Sequence, residues 1–190
     1  MTVYQFSELE GKRVRLVPLG EEHILPLYVC SRDPQIWTHF PYRIANVEDM
    51  RAFVLQALEM RERNEQFPYA VYDKELETIV GSTRFLRISE SHHNLNIGTT
   101  WYSPAVWRTR VNTECKFLML QHAFAELKVI RVEIVTSTDN VRSQQAIERL
   151  GATREGVLRK KYYNLDYIIY SILSQEWPHI HRKLEQYLAE

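Results

Sequence analysis

At 190 residues, with 45% of them hydrophobic, the chain fits one globular domain with a substantial core. Its 24 basic residues balance 24 acidic ones, which gives no bulk attraction to nucleic acid or to an anionic membrane. Two cysteines are too few for a disulfide framework, the N-terminal stretch has no apolar signal core, and no run is long enough to span a bilayer. The expectation is a cytoplasmic protein with no membrane and no nucleic-acid partner.

Residues 13–18 alternate, with Val14 and Leu16 on one face, and predict a first strand. Residues 21–31 predict a helix kinked or shortened by Pro26, and Asp33 before Pro34 predicts one more short helical turn over 35–39. Asn46 caps a clearer helix whose apolar face is Val47, Met50, Phe53, Val54, Ala57 and Leu58. Two β-rich runs, 67–72 and 78–88, separated by the polar stretch 73–77, predict a hairpin. After a polar loop over 89–94, Leu95, Ile97, Thr99 and Trp101 alternate as a further strand that Pro104 ends.

Residues 113–128 are apolar on more than one side and predict the most buried helix. A strand over 130–136 follows, then an amphipathic helix from Asn140 to Leu150, closed by Gly151, the residue suited to the left-handed conformation past a helix end. A last hairpin over 156–163 and 167–173 precedes a helix over 178–188 with Ile180, Leu184, Tyr187 and Leu188 inward. This order predicts one domain over 1–190, with its core in 13–177 and the C-terminal helix after it.

Two segments carry chemistry. The turn over 103–112 feeds a helix N-terminus, where unpaired N–H groups and the positive end of the helix dipole suit a phosphate, and Arg108 and Arg110 add charge. A solvated basic turn before a core helix explains the same residues. The second segment runs from the strand over 130–136 into a helix whose first turn holds Asn140 and Ser143. Alone, Asn140 reads as an N-cap and Ser143 as an exposed helix residue.

Taken together, IGTTWYSPAVWRTRVNTECKFLMLQHAF, IRVEIVTSTDNVRSQQAIERLGATREGVLR and YSILSQEWP resemble the GCN5-related N-acetyltransferases (GNAT). They look like the branch that includes ribosomal-protein N-terminal (alanine) acetyltransferases, and the resemblance covers residues 13–177. It implies a mixed α/β (α+β) fold with a mostly antiparallel central sheet of about seven strands. Helices would cover both faces, and a splay between the fourth and fifth strands would admit pantetheine. It also implies acetyl-CoA as acyl donor, no metal, and a primary amine acceptor, either a protein N-terminus or a small molecule. A homodimer stays open.

On the family pattern the backbone of Trp101 and Ser103 pairs with pantetheine. The amides of Arg108, Thr109, Arg110, Val111, Asn112 and Thr113 receive the phosphates, and Asn140 holds pantetheine as well as capping its helix. Trp107, Arg110 and Asn112 fall on the three specified positions of the phosphate turn. Arg110 thus replaces a glycine that elsewhere permits positive φ and close backbone approach; its guanidinium is expected to pair with a phosphate instead. A tyrosine that many relatives use as acid is here Ile147, so Ser143 takes the acid role, as in the ribosomal-protein branch. Tyr162 stands where some relatives carry a glutamate base, and Glu133 or a water chain are alternatives.

Other residues carry less. His92 with His93, and His179 with His181, lack metal-ligand spacing with a third partner. Cys115 reads as a packed core thiol, and Trp37, Tyr42 and Tyr69 as core or as the lining of an acceptor pocket. The competing function is an inactive CoA- or peptide-binding sensor with the same fold. A structural or nucleic-acid-binding role lacks any basic stripe or reader motif.

Overall fold

Alternating segments become strands where one face can be buried, and in this computed structural model, which describes residues 4–190, they join into one eight-stranded sheet. The chain order is β1 (Leu9–Glu10), β2 (Val14–Pro18), α1 (Ile24–Cys30), α2 (Val47–Glu62), β3 (Gln66–Asp73), β4 (Thr78–Ser89), β5 (Asn94–Tyr102), α3 (Val111–Gln121), β6 (Arg131–Ser137), α4 (Val141–Leu150), β7 (Thr153–Tyr162), β8 (Leu165–Leu173) and α5 (Trp177–Ala189). Across the sheet the order is β1-β2-β3-β4-β5-β6-β8-β7. Among the described residues only β5 and β6 run parallel.

The eighth strand beyond the expected seven is β1, whose two residues are too few to show alternation. β7 begins at Thr153 rather than Gly156 because it is an edge strand, polar where it meets solvent, and so lacks the period of a half-buried strand. Pro26 does not kink α1. It lies in the first turn, where its missing N–H has no intrahelical partner to lose, and a 3₁₀ turn over Glu21–His23 supplies the preceding residues. Asn46 and Asn140 act as side-chain caps, accepting from the amides of Asp49 and Ser143, and Gly151 closes α4 at φ 98°.

The sheet separates two cores. On one face Val14, Leu16, Phe85, Leu95 and Ile97 pack under α3 (Val111, Cys115, Met119, Leu120), with Ile147 and Leu150 of α4 and Trp177, Ile180 and Leu184 of α5. On the other, Ala70, Ile79 and Trp101 pack under Leu27 of α1, Trp37, and Met50, Phe53, Val54 and Ala57 of α2. The single long helix expected over 113–128 is α3 from Val111 followed by a π turn over His122–Glu126, which leads the chain into β6. Tyr187 is a correction: it is 45% exposed rather than inward, and packs under an arginine from the turn before α3.

Candidate active site

β5 and β6 pair only over Asn94–Asn96 and Arg131–Glu133. Beyond that point β5 stays with β4 and β6 stays with β8, so the two strands diverge and open a cleft in the middle of the sheet. A bulge shapes the β5 wall. Ser82 faces Trp101 and Arg84 faces Gly98, so β5 carries one residue more than β4 in the interval, and Thr99 sits at φ 46°. A β-branched residue with positive φ is strained, and such strain persists only where surrounding structure enforces it.

Strand geometry corrects two expected contacts. The Ser103 N–H donates to the Val80 carbonyl (2.7 Å), toward β4. Backbone groups alternate sides along a strand, so Trp101 also turns its amide and carbonyl to β4. Thr100 and Tyr102 face the cleft in their place, and the Tyr102 carbonyl accepts from the Trp107 indole N–H (2.8 Å).

The turn after β5 contains a 3₁₀ segment, Pro104–Val106, and then enters α3 at Val111. Among the six amides expected to meet phosphate, Thr109 donates to the Val106 carbonyl (3.4 Å) and Val111 to Thr109 Oγ1 (3.3 Å). Those of Arg108, Arg110, Asn112 and Thr113 have no acceptor among the described residues, which leaves four donors at the helix N-terminus. Arg110 has φ −78° and ψ −5°, so its backbone requires no glycine, and the positive φ of the turn falls at Arg108 (62°). The Arg110 guanidinium lies 5.1 Å from the centroid of the Tyr187 ring on α5. That is a different placement from the expected pairing with phosphate.

Across the cleft, α4 presents Asn140 and Ser143. The Asn140 Oδ1 accepts from the Ser143 amide (3.1 Å), which leaves the half-buried Ser143 hydroxyl without a partner among the described residues. Ile147 is 4% exposed and belongs to the core. Tyr162 ends β7 near the hairpin tip, its ring 5.1 Å from Tyr167 and 5.2 Å from the Arg87 guanidinium. Glu133 is engaged by the Arg131 Nε (2.8 Å), so its carboxylate is not a free base. Burial pushes the Cys115 thiol up to about 12, which leaves it a protonated core group. Tyr69 is fully buried and donates to the Ser7 carbonyl (2.9 Å), outside any acceptor pocket.

Three features escaped the sequence. The segment between α1 and α2 spans the cleft mouth: Trp37 packs on Trp101 of β5 (5.3 Å), while His39 Nδ1 lies 3.4 Å from the Asp139 carboxylate beyond β6. Arg142 of α4 reaches the other way, its guanidinium 4.1 Å from the Trp107 ring. Lys116 of α3, 5% exposed, donates to Thr100 Oγ1 (2.7 Å) and to Thr83 Oγ1 (3.4 Å), and burial pulls its pKa down to about 8. Spacing alone signals none of these, because each pair joins distant segments. Among the described residues no cluster of three or more His, Cys, Asp or Glu is arranged to hold a metal, and no helix is long and apolar enough to cross a membrane.

Comparison with known proteins agrees with this geometry. A family model described as an acetyltransferase (GNAT) domain matches residues 13–153. The uncharacterized N-acetyltransferase YoaA of Bacillus subtilis (strain 168) is 20% identical over 173 residues, covering 88% of this chain and 97% of YoaA. A crystal structure of a GCN5-related N-acetyltransferase from Brucella melitensis is similar with TM-score 0.89 and 27% identity, over 96% of this chain and 85% of that one. The microcin self immunity acetyltransferase MccE, solved in complex with acetyl-CoA and AMP, shares the fold with TM-score 0.75 and 21% identity, over 86% of this chain and 93% of its own.

Proposed function

Because the chain belongs to the GNAT acetyltransferase family and so uses acetyl-CoA as acyl donor, we propose that it acetylates a primary amine entering between the α1–α2 segment and the β7–β8 hairpin. The divergence of β5 from β6 after Asn96 carries the reading. It leaves room for the pantetheine arm between the strands, with the free amides at the start of α3 for the pyrophosphate and the cleft-facing backbone of Thr100 and Tyr102 for the arm. In this reading the amine nitrogen attacks the thioester carbonyl carbon directly. The C–N bond forms and the C–S bond breaks, and a cleft-facing β5 amide beside the strained Thr99 stabilises the oxyanion.

Two protons must move. The attacking ammonium must lose one, and the His39 imidazole, 3.4 Å from the Asp139 carboxylate, is a better candidate than Tyr162 to receive it, since a phenol is a weak base near neutrality. Attack leaves a second proton on the nitrogen, and the departing thiolate takes it by way of the Ser143 hydroxyl, which has no competing partner among the described residues and regains one proton as it passes on another. Free-thiol release from acetyl-CoA over a panel of amines tests the reading. One or more amines should drive release, and His39→Ala should lower kcat by roughly a hundredfold or more, in the range for loss of a general base. CoA binding without release for any amine would leave only a CoA-binding sensor.

A further inference from the structure

Arg84 is a feature near the cleft that acetyl transfer to a generic amine leaves unexplained. It sits in the centre of the sheet on β4, opposite Gly98 and so beside the bulge residue Thr99, on the face covered by α2. The side chain is 6% exposed. Its guanidinium lies 4.7 Å from the centroid of the Phe53 ring, and Nη1 donates to Gln66 Oε1 (2.9 Å). Nε and Nη2 are buried with no acceptor among the described residues, and no carboxylate pairs with the charge. On the same face the Trp101 indole N–H is also buried and unpartnered, although Trp101 is only 3% exposed.

Buried N–H groups without acceptors are rare in folded proteins, and a buried cation without an anion is more costly still. Three such donor groups on one face, beside the bulge of β5, ask for a ligand made of acceptors with negative charge. The surroundings narrow its chemistry. Trp37, Phe40, Tyr42 and Phe53 form a continuous aromatic wall, with successive ring centroids 5.4 to 6.3 Å apart. A planar monoanion matches the guanidinium fork at the smallest desolvation cost, which favours carboxylate over a phosphate dianion.

Resting on the acyl-transfer reading above, we propose that Arg84 and Trp101 bind the carboxylate of the acceptor, and that the acceptor is a small amino carboxylate. Adjacent strands are roughly 4.8 Å apart. A carboxylate held over β4 therefore leaves its amine about one strand spacing away, over the β5 wall of the cleft. A compact amino acid spans that distance. The carboxyl of a protein N-terminal residue cannot serve, because it is consumed in the peptide bond.

The test compares four amines of one skeleton: the amino carboxylate, its carboxamide, the decarboxylated amine and the aminophosphonate. Thiol release is measured for wild type, Arg84→Met and Arg84→Lys, with folding followed by thermal melting. The carboxylate should exceed the carboxamide in kcat/KM by roughly 10- to 150-fold, the range for a hydrogen bond to a charged group. That preference should collapse in Arg84→Met and persist in part in Arg84→Lys. Equal use of the carboxamide, or of a peptide with a blocked C-terminus, would overturn the proposal, as would preference for the phosphonate. Should Arg84→Met fail to fold, the wild-type series and Arg84→Lys still decide. Calorimetric binding of the amino carboxylate in the presence of CoA separates the two levels of inference. Arg84-dependent binding without turnover keeps this proposal and removes acetyl transfer, whereas turnover without carboxylate preference does the reverse.

Discussion

Replacing Lys116 with methionine gives a test in which stability and activity should move in opposite directions. The ammonium is buried, donates to the hydroxyls of Thr100 and Thr83, and has no carboxylate partner among the described residues. Burial lowers its pKa from 10.5 to about 8, which corresponds to about 3 kcal/mol against the charged folded form. The folded value lies below the unfolded one, so between about pH 8 and pH 10.5 the unfolded chain holds a proton that the folded chain has released. Stability from this group therefore rises with pH through that window, and below pH 8 the full penalty applies. Methionine keeps length and flexibility without charge, and the Thr83 and Thr100 hydroxyls remain bonded to each other at 2.8 Å. Lys116→Met should thus be more stable than wild type by about 1–3 kcal/mol at pH 7, with the gain shrinking toward pH 10. Urea denaturation of both proteins from pH 7 to 10.5 measures the difference, in which other titrating groups cancel. A flat difference would refute the assignment of an uncompensated buried charge. In the same variant kcat should fall about tenfold or more with little change in thermal order, since Thr100 loses the tether beside the bulge.

The remaining expectations concern α4. Asn140→Ala removes the acceptor for the Ser143 amide and should lower stability by about 1 kcal/mol, seen as a fall of roughly 2–4 °C in Tm, and should also weaken CoA binding measured by calorimetry. Ser143→Ala should leave Tm and CoA affinity nearly unchanged and lower kcat by roughly ten- to a thousandfold. An activated thioester whose leaving thiolate needs no proton should restore the rate, and full activity with acetyl-CoA would remove the acid role from Ser143.

What could be read from the sequence was whatever depends on neighbours in the chain. Asn46, Asn140 and Gly151 act through the adjacent turn of helix, and all three stand where capping chemistry puts them. Periodicity found the strands with one buried face and missed β1, too short to have a period, and the polar start of β7 at the sheet edge. The direction of backbone groups on β5 was not legible, because it depends on the register with β4: Ser103 bonded to Val80 is what turns Thr100 and Tyr102, rather than Trp101 and Ser103, toward the cleft. Likewise Arg110 stands where the family pattern has a glycine, whereas its φ of −78° needs none, and the left-handed residue of the turn is Arg108. Pairings such as His39 with Asp139 or Lys116 with Thr100 join segments that only the folded sheet brings together.

Those long-range pairings share an electrostatic pattern. Arg84 on the α2 side and Lys116 on the α3 side approach the same stretch of β5, Gly98 to Thr100, from opposite faces of the sheet, and neither has a counter-ion among the described residues. Folding stability alone disfavours both, since apolar residues of similar size would avoid the desolvation penalty. The strained Thr99 between them disfavours it further. The arrangement becomes consistent when negative charge arrives there: an oxyanion at the thioester carbon, and an acceptor carboxylate one strand away. Preorganised positive charge in a water-poor site needs no reorganisation when the transition state forms, and stabilises it more than the same groups would in solvent. On this argument the two cations should couple. In a double-mutant cycle on kcat/KM for the amino carboxylate, Arg84→Met and Lys116→Met should lower the rate by less together than the product of their separate effects, because each single loss already misplaces the charge that the other stabilises. Strictly multiplicative losses would mean that the two side chains act on separate steps.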